Sequence, residues 1–303
     1  TQSPAGVRGY FLRIPALAAY DEDVADNGDT AQLWWVDGTA AQYQLAAGSG
    51  SFSVRGAASF ESLAAGVYRI TAEPLAVAPQ TLAASAEGLR NAASFGPRLA
   101  PGSLVSLFGA GLSETPAAPR SLPLPETLGG FRITTGGLAA PLLFVSPFQA
   151  NFQLPFGLPP GQHPLEVTSA FGTARLDVVL DEAAPGIFPG AVLNQDGTLN
   201  TALNPARRGG ALQVYTTGLG EVAPPVTAGA AAPPSPLSYT VAAATATLDG
   251  QPVQVLFAGL APGFAGLYQV NVLIPAAFPP NSAARLVIRA ATGESNAAQV
   301  AVQ

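Results

Sequence analysis

Gln149-Ala150-Asn151-Phe152-Gln153-Leu154-Pro155 returns, 120 residues on, as Gln269-Val270-Asn271-Val272-Leu273-Ile274-Pro275. Each stretch alternates polar with apolar side chains and stops at a proline, the pattern of a half-buried β-strand. Working outward, further pairs fall in the same order. Gly109-Ala110-Gly111-Leu112 matches Thr216-Thr217-Gly218-Leu219 at an offset of 107, Gly137 and Phe144 match Gly250 and Phe257 at 113, and Pro159-Pro160 matches Pro279-Pro280 at 120. An offset that only grows marks one duplicated module with small loop insertions in the second copy, the largest over Leu260–Leu267.

Each copy carries the same physical units. A Gly-rich strand start, Pro101-Gly102-Ser103-Leu104-Val105-Ser106-Leu107-Phe108, precedes a hairpin signal at Gly136-Gly137, whose counterpart is Asp249-Gly250. The alternating strand follows, then a Pro-Pro-Gly or Pro-Pro-Asn segment read as a type II turn. A closing hairpin runs from 165–169 to 174–180, mirrored by 285–290 to 297–302. About seven short strands in about 100 residues is the arithmetic of an immunoglobulin-like sandwich. Ahead of the repeat, strand-like runs at 8–14, 31–36, 40–45, 51–55 and 67–72 make a further β module, joined through a Pro- and Ala-rich connector at 73–88. The expected fold is all-β, three tandem small β-sandwich modules over residues 1–85, 86–184 and 185–303.

Composition agrees and excludes. The 33 Gly and 29 Pro leave no stretch longer than 13 residues, Leu237–Asp249, free of both, which rules out long helices. With 48% apolar and 11% charged residues, the chain is too apolar for a disordered Pro/Gly-rich segment. There is no Cys, no Lys and one His, so disulfides, zinc or iron–sulfur centres, P-loop chemistry and Lys-based isopeptide bonds are excluded. Net charge is −6 and the arginines are scattered apart from Arg207-Arg208, so no nucleic-acid footprint exists. The longest apolar run, Leu138–Val145, contains Pro141 and is far short of the ~20 residues of a membrane span. A chain without Met does not begin at its translation start; removal of an N-terminal export signal is the expected reason, and the start of a fragment would look the same.

Several of these stretches in fixed order carry a resemblance. Arg90-Asn91-Ala92-Ala93-Ser94-Phe95, the 101–109 strand, Val145–Pro155, Leu193-Asn194-Gln195-Asp196-Gly197-Thr198-Leu199-Asn200, Asn204-Pro205-Ala206, and 257–263 through Gln269-Val270-Asn271 together resemble the Solibacter-type C-terminal domain family of secreted acidobacterial proteins. The resemblance spans about residues 88–303, and each half is more distantly similar to IPT/TIG immunoglobulin-like domains. It implies export and β-sandwiches, and it implies no reaction.

Candidate sites are few. Asp21, Glu22, Asp23, Asp26 and Asp29 place five acids in nine residues around Gly28, a set able to converge on Ca²⁺ or to stand as a solvated acidic turn. Asp196-Gly197 reads as a hairpin turn, and His163 as a side chain flanking the Pro160-Gly161 turn. With no Gly-x-Ser-x-Gly elbow and one His, no nucleophile triad is assembled, and no enzymatic activity is expected. Trp34 and Trp35 are adjacent in a strand-like run and so face opposite sides of it, one of them open to a sugar, a protein or a neighbouring domain. Tyr10, Phe11, Leu12 and Ile14 form an apolar strand near the chain start, either the first strand of its own domain or one donated to a neighbouring subunit.

The expected function is a secreted, non-enzymatic structural protein that assembles with copies of itself into an extracellular filament or surface layer. The alternative is an extracellular adhesion or carbohydrate-binding module using Trp34, Trp35 and Tyr43. No cofactor is required beyond the Ca²⁺ that the acidic loop would take.

Overall fold

Asp249 and Gly250 adopt φ of +49° and +77°, the left-handed pair that a type I′ turn demands. β-Strands therefore fold back across them, Leu248 opposite Gln251. Gly136 and Gly137, at +57° and +81°, do the same with Thr135 opposite Leu138. Asp249 also anchors the neighbouring strand, its carboxylate accepting hydrogen bonds from Asn281 Nδ2 at 2.8 Å and the Arg285 amide at 2.7 Å. Asp249→Ala is expected to lower stability by about 1–2 kcal/mol, measured as the change in chemical denaturation midpoint.

The computed structural model describes residues 81–303 and, ahead of them, the backbone of five strands: β1 (Gly9–Phe11), β2 (Trp34–Val36), β3 (Ala41–Ala46), β4 (Ala58–Ala64) and β5 (Val67–Ala72). The chain divides into two compact units, Thr1–Pro79 and Gln80–Gln303. In the first, β1 pairs with β2, and β5 lies between β3 and β4, all antiparallel. The run expected at 51–55 lies outside the described residues, and β4 is a strand that the sequence pattern did not single out.

The second unit holds both copies of the repeat. The first copy comprises β6 (Ala83–Asn91), β7 (Leu104–Ala110), β8 (Thr127–Leu128), β9 (Phe131–Thr135), β10 (Leu138–Ala139), β11 (Leu142–Val145), β12 (Gln149–Gln153), β13 (Gly161–Ser169) and β14 (Gly172–Leu180). The second comprises β15 (Gly186–Asn194), β16 (Ala211–Thr217), β17 (Val222–Ala223), β18 (Tyr239–Thr240), β19 (Ala244–Leu248), β20 (Gln251–Val253), β21 (Val255–Leu260), β22 (Tyr268–Leu273), β23 (Asn281–Ala290), β24 (Gly293–Glu294) and β25 (Ala298–Val302). Sheet order β11-β12-β7-β6 is reproduced as β21-β22-β16-β15, and β10-β9-β13-β14 as β20-β19-β23 with β25 on its far side. Even the irregularities coincide: the register slips between Leu142 and Phe144 in one copy and between Val255 and Phe257 in the other. The protein is all-β, with immunoglobulin-like sandwiches, and no helix occurs among the described residues.

Two differences have physical causes. Ala83–Gly88, expected as connector, is the first part of edge strand β6, paired with β7. Alanine and serine carry little strand propensity, so the pairing partner decides. Pro159-Pro160 and Pro279-Pro280 lead straight into β13 and β23 without a separate type II turn: Gly161, at φ +131°, is already the first strand residue.

Alternation builds each core. Along β22, Tyr268, Val270 and Val272 are buried, while Gln269, Asn271 and Leu273 are half-exposed on the other face. Leu107, Phe131, Phe152 and Leu165 fill the first core; Val214, Leu248, Val270 and Ile288 fill the second.

Candidate binding surface

The two sandwiches meet along a seam tied by side chains from distant parts of the chain. Only five residues, 181–185, separate β14 from β15, and they are held at both ends. The Asp181 amide donates to Leu99 O at 2.8 Å, and its carboxylate pairs with Arg98 Nε at 2.8 Å. Asn91, 1% exposed, donates from Nδ2 to Ala184 O at 2.9 Å, while its Oδ1 accepts from the amides of Ala93 and Ser94. The Leu104 amide donates to Thr217 Oγ1 at 2.8 Å, the Gly229 amide to Gln153 Oε1 at 2.7 Å, and the Gly157 amide to Glu221 Oε1 at 2.6 Å. Glycine makes the approach possible. A Cβ at Gly218, at φ +81°, would overlap the Ala184 carbonyl, and one at Gly186 would overlap the Asn91 amide. Behind the seam the Tyr268 hydroxyl donates to Gly220 O, and burial, with the Glu221 carboxylate nearby, pushes that phenol well above its usual pKa.

A cavity of about 280 Å³ opens on this seam, walled by Pro101, Leu158, Pro159 and Pro160 with Glu182 and Glu221 among its lining. It lies just below the size usual for small-ligand sites.

The duplicated Gln-x-Asn motif builds a second kind of feature. Gln149 Nε2 donates to Asn151 Oδ1 at 2.9 Å, and Gln269 Nε2 to Asn271 Oδ1 at 2.8 Å, so the same amide pair stands on the outer face of both sandwiches. The neighbours are reproduced too. Gln149 lies opposite Phe108 and Asn151 opposite Phe144; Gln269 lies opposite Tyr215 and Asn271 opposite Phe257. In the second copy the surface is wider, because β18 adds Tyr239 opposite Gly259. A Cβ at Gly259 would press on the Phe257 ring, which therefore lies over the glycine. Tyr239 meets that ring edge-on at 5.3 Å between centroids and is itself 51% exposed. Tyr215, Gln269, Gly259 and Tyr239 thus form one row across four adjacent strands, roughly 14 Å at the usual strand spacing. Gln213, Asn271 and Phe257 form the next.

The motif at 193–206 proves structural. Asn194 Nδ2 donates to Asn204 O, Asn200 Nδ2 to Asn194 Oδ1 and Ala301 O, and Asn204 Nδ2 to Leu199 O, which lock the loop onto the sheet. Asp196 closes its turn by accepting from the Thr198 hydroxyl and amide, and those bonds hold its carboxyl below the usual pKa. His163 Nε2 contacts Pro159 O at 2.7 Å, a local turn bond.

Of the residues singled out from the sequence, Tyr10, Phe11, Trp34 and Trp35 come together in backbone register: Tyr10 stands opposite Trp35, and Phe11 opposite Trp34. The N-terminal strand is thus taken up by β2 of its own chain. Leu12 and Ile14, and the acidic set Asp21, Asp23, Asp26 and Asp29 with its expected Ca²⁺, lie outside the described residues. Among the described residues no three His, Asp or Glu side chains are grouped to hold a metal ion, and no helix is long and apolar enough to cross a membrane. The outer-face row was missed in the sequence, where Gln149 and Gln269 registered as repeat markers only. The signal was present in the aromatics at 108 and 215 and at 144 and 257, matched at the repeat's own offsets.

No family model and no curated protein matches the chain. Among solved structures, it is similar to the surface glycan-binding protein SGBP-B of the Bacteroides ovatus mixed-linkage glucan utilization locus, at 14% identity and a TM-score of 0.33, covering 78% of this chain and 48% of that one. It is also similar to the titin I9–I11 tandem, at 7% identity and a TM-score of 0.21 over 90% and 92% of the two chains. The BSP domain of a biofilm-associated protein matches at 11% identity and a TM-score of 0.22, over 74% and 29%. The chain spans about half the length of the glycan-binding structure, and likenesses at these scores carry no functional argument.

Proposed function

We propose that this chain is a secreted, non-enzymatic adhesion protein of the cell surface, in which two fused sandwiches act as a stiff mount for exposed binding faces. The observation that carries this reading is the repeated Gln-x-Asn face with its aromatic neighbours, present on both copies although nothing in the sandwich core requires it. Core positions of a sheet are selected for packing, whereas paired amides and rings on the outward face are free to vary unless something binds there. The resemblance over residues 88–303 favours export, and the side-chain hydrogen bonds across the seam favour a stiff mount for the two faces. The fluorescently labelled full chain is expected to bind saturably to extracted extracellular matrix and to release no products from it. Absence of saturable retention would overturn the adhesion reading, and product release would overturn the non-enzymatic one.

A second reading, a self-assembling filament or surface-layer subunit, is favoured by single apolar side chains held in the open: Phe148 at 68%, Val241 at 66% and Leu203 at 98% exposure. With β1 paired inside its own chain, donation of that strand would first have to break the pair with β2. Concentration-dependent light scattering separates the two readings, since only a subunit of this kind grows into long particles.

A further inference from the structure

Resting on the adhesion reading, we infer that the outer face of the second sandwich is a binding site for a neutral, β-linked hexopyranose polymer, laid across Tyr215, Gln269, Phe257 and Tyr239.

The chemistry comes from three features. First, the row sets one amide between aromatic rings: Tyr215 on one side of Gln269, and on the other the Phe257 ring over Gly259 followed by Tyr239. Flat aromatic surfaces suit the C–H faces of equatorially substituted pyranose rings, and amides supply both a donor and an acceptor to hydroxyl groups. Gln269 spends one donor on Asn271 Oδ1, which couples the two side chains and leaves the Gln269 Oε1 acceptor and the Asn271 Nδ2 donors for other partners. Second, charge favours a neutral ligand. The chain carries a net charge of −6, yet neither row contains an Asp, Glu, Arg or His. A peptide or acidic polymer would find no counter-charge here, and a neutral polyol needs none. Third, the row is four strands wide, with Tyr239 exposed and Tyr215, Gln269 and Phe257 half-exposed, which fits a chain of several sugars better than a single monosaccharide. The first copy repeats the motif with Phe108 and Phe144, but Ser106 stands at the place of Gln213 and is buried, and the path β11-β12-β7-β6 has no counterpart of β18. The second copy is therefore the principal site.

The test is isothermal titration calorimetry of the full chain with cellohexaose, laminarihexaose and, as a charged control, a hyaluronate hexasaccharide. Binding is expected to at least one neutral hexasaccharide and not to hyaluronate. Tyr239→Ala and Gln269→Ala should each weaken it by about tenfold or more, with unchanged melting temperature, while Gln149→Ala on the first copy leaves it nearly intact. Equal affinity for the charged control, or unchanged affinity in both variants, would overturn the assignment. So would silence with every neutral sugar when the wild-type chain still adheres to matrix, an outcome that keeps the adhesion reading and removes this one. Dimerisation that Tyr239→Ala abolishes, with no sugar bound, would reassign the face to a second copy of the chain.

Discussion

Replacing Asn91 with alanine is expected to cost about 3 kcal/mol and to uncouple the two sandwiches. The side chain serves three backbone groups at once, the Ala184 carbonyl in one direction and the Ala93 and Ser94 amides in the other, at 2.9–3.1 Å. All of this happens at 1% exposure, where water does not replace what is lost. Each lost hydrogen bond costs about 1 kcal/mol net, and a buried group left unpaired costs about 1–3 kcal/mol. For a unit of this size that translates into a melting shift of roughly 6–12 °C. A second consequence is specific to the seam. In wild type the two sandwiches of the Gln80–Gln303 unit should melt together in one calorimetric transition, because the Ala184 carbonyl fixed by Asn91 belongs to a residue whose amide also donates to Gly218 O at 2.7 Å. Asn91→Ala should broaden or split that transition. Asn91→Asp, which keeps the acceptor for the Ala93 and Ser94 amides and loses the donor to Ala184, should retain more of the stability while still loosening the junction.

Phe152→Ala should be the most damaging single change in the first core, at about 3–5 kcal/mol. The ring is fully buried, on the inward face of β12, among Leu107, Phe131 and Leu142. Its flanking strands pair closely on both sides, Leu142 across one edge and Val105 across the other, so the sheet cannot collapse into the vacancy. The counterpart in the second copy is Val272, a smaller side chain at the same point of the repeat, and Val272→Ala should cost less. Urea denaturation of both variants gives the comparison directly, and equal losses would mean that the first core relaxes around the missing ring.

These two residues differ in how far the sequence disclosed them. Phe152 was legible: it sits inside an alternating stretch, and alternation fixes which side chains face inward. The same holds for Asp249-Gly250, where two left-handed residues in succession leave the chain little choice but to reverse. Asn91 was visible only as part of a motif, because its role lies in a contact with residue 184, 93 positions away. Thr217, which receives the Leu104 amide across 113 positions, was equally hidden. Strand β6 was hidden for a different reason, since its Ala- and Ser-rich start has no intrinsic preference and takes its form from β7. The outer face was half legible. Period-two alternation tells which residues point outward, but which outward residues become neighbours depends on cross-strand register, and that required the bulges at 142–144 and 255–257 to be placed. Trp34 and Trp35 are conspicuous because they are adjacent in the chain, whereas Tyr215 and Tyr239 are 24 residues apart and meet in one row only through β22 and β21.

The seam and the face depend on each other. A face held on a flexible tether samples many directions, and part of any binding energy is spent on ordering it; a face on a two-sandwich unit tied by hydrogen bonds across its seam is already oriented. The absence of cysteine from the chain makes this directly measurable. Val179→Cys and Leu203→Cys introduce one label on each sandwich at positions that are 64% and 98% exposed, and electron–electron double resonance reads the distance between them. The fused unit predicts one narrow distance distribution that broadens when Asn91→Ala is added. A broad or multimodal distribution in the wild-type background would contradict it.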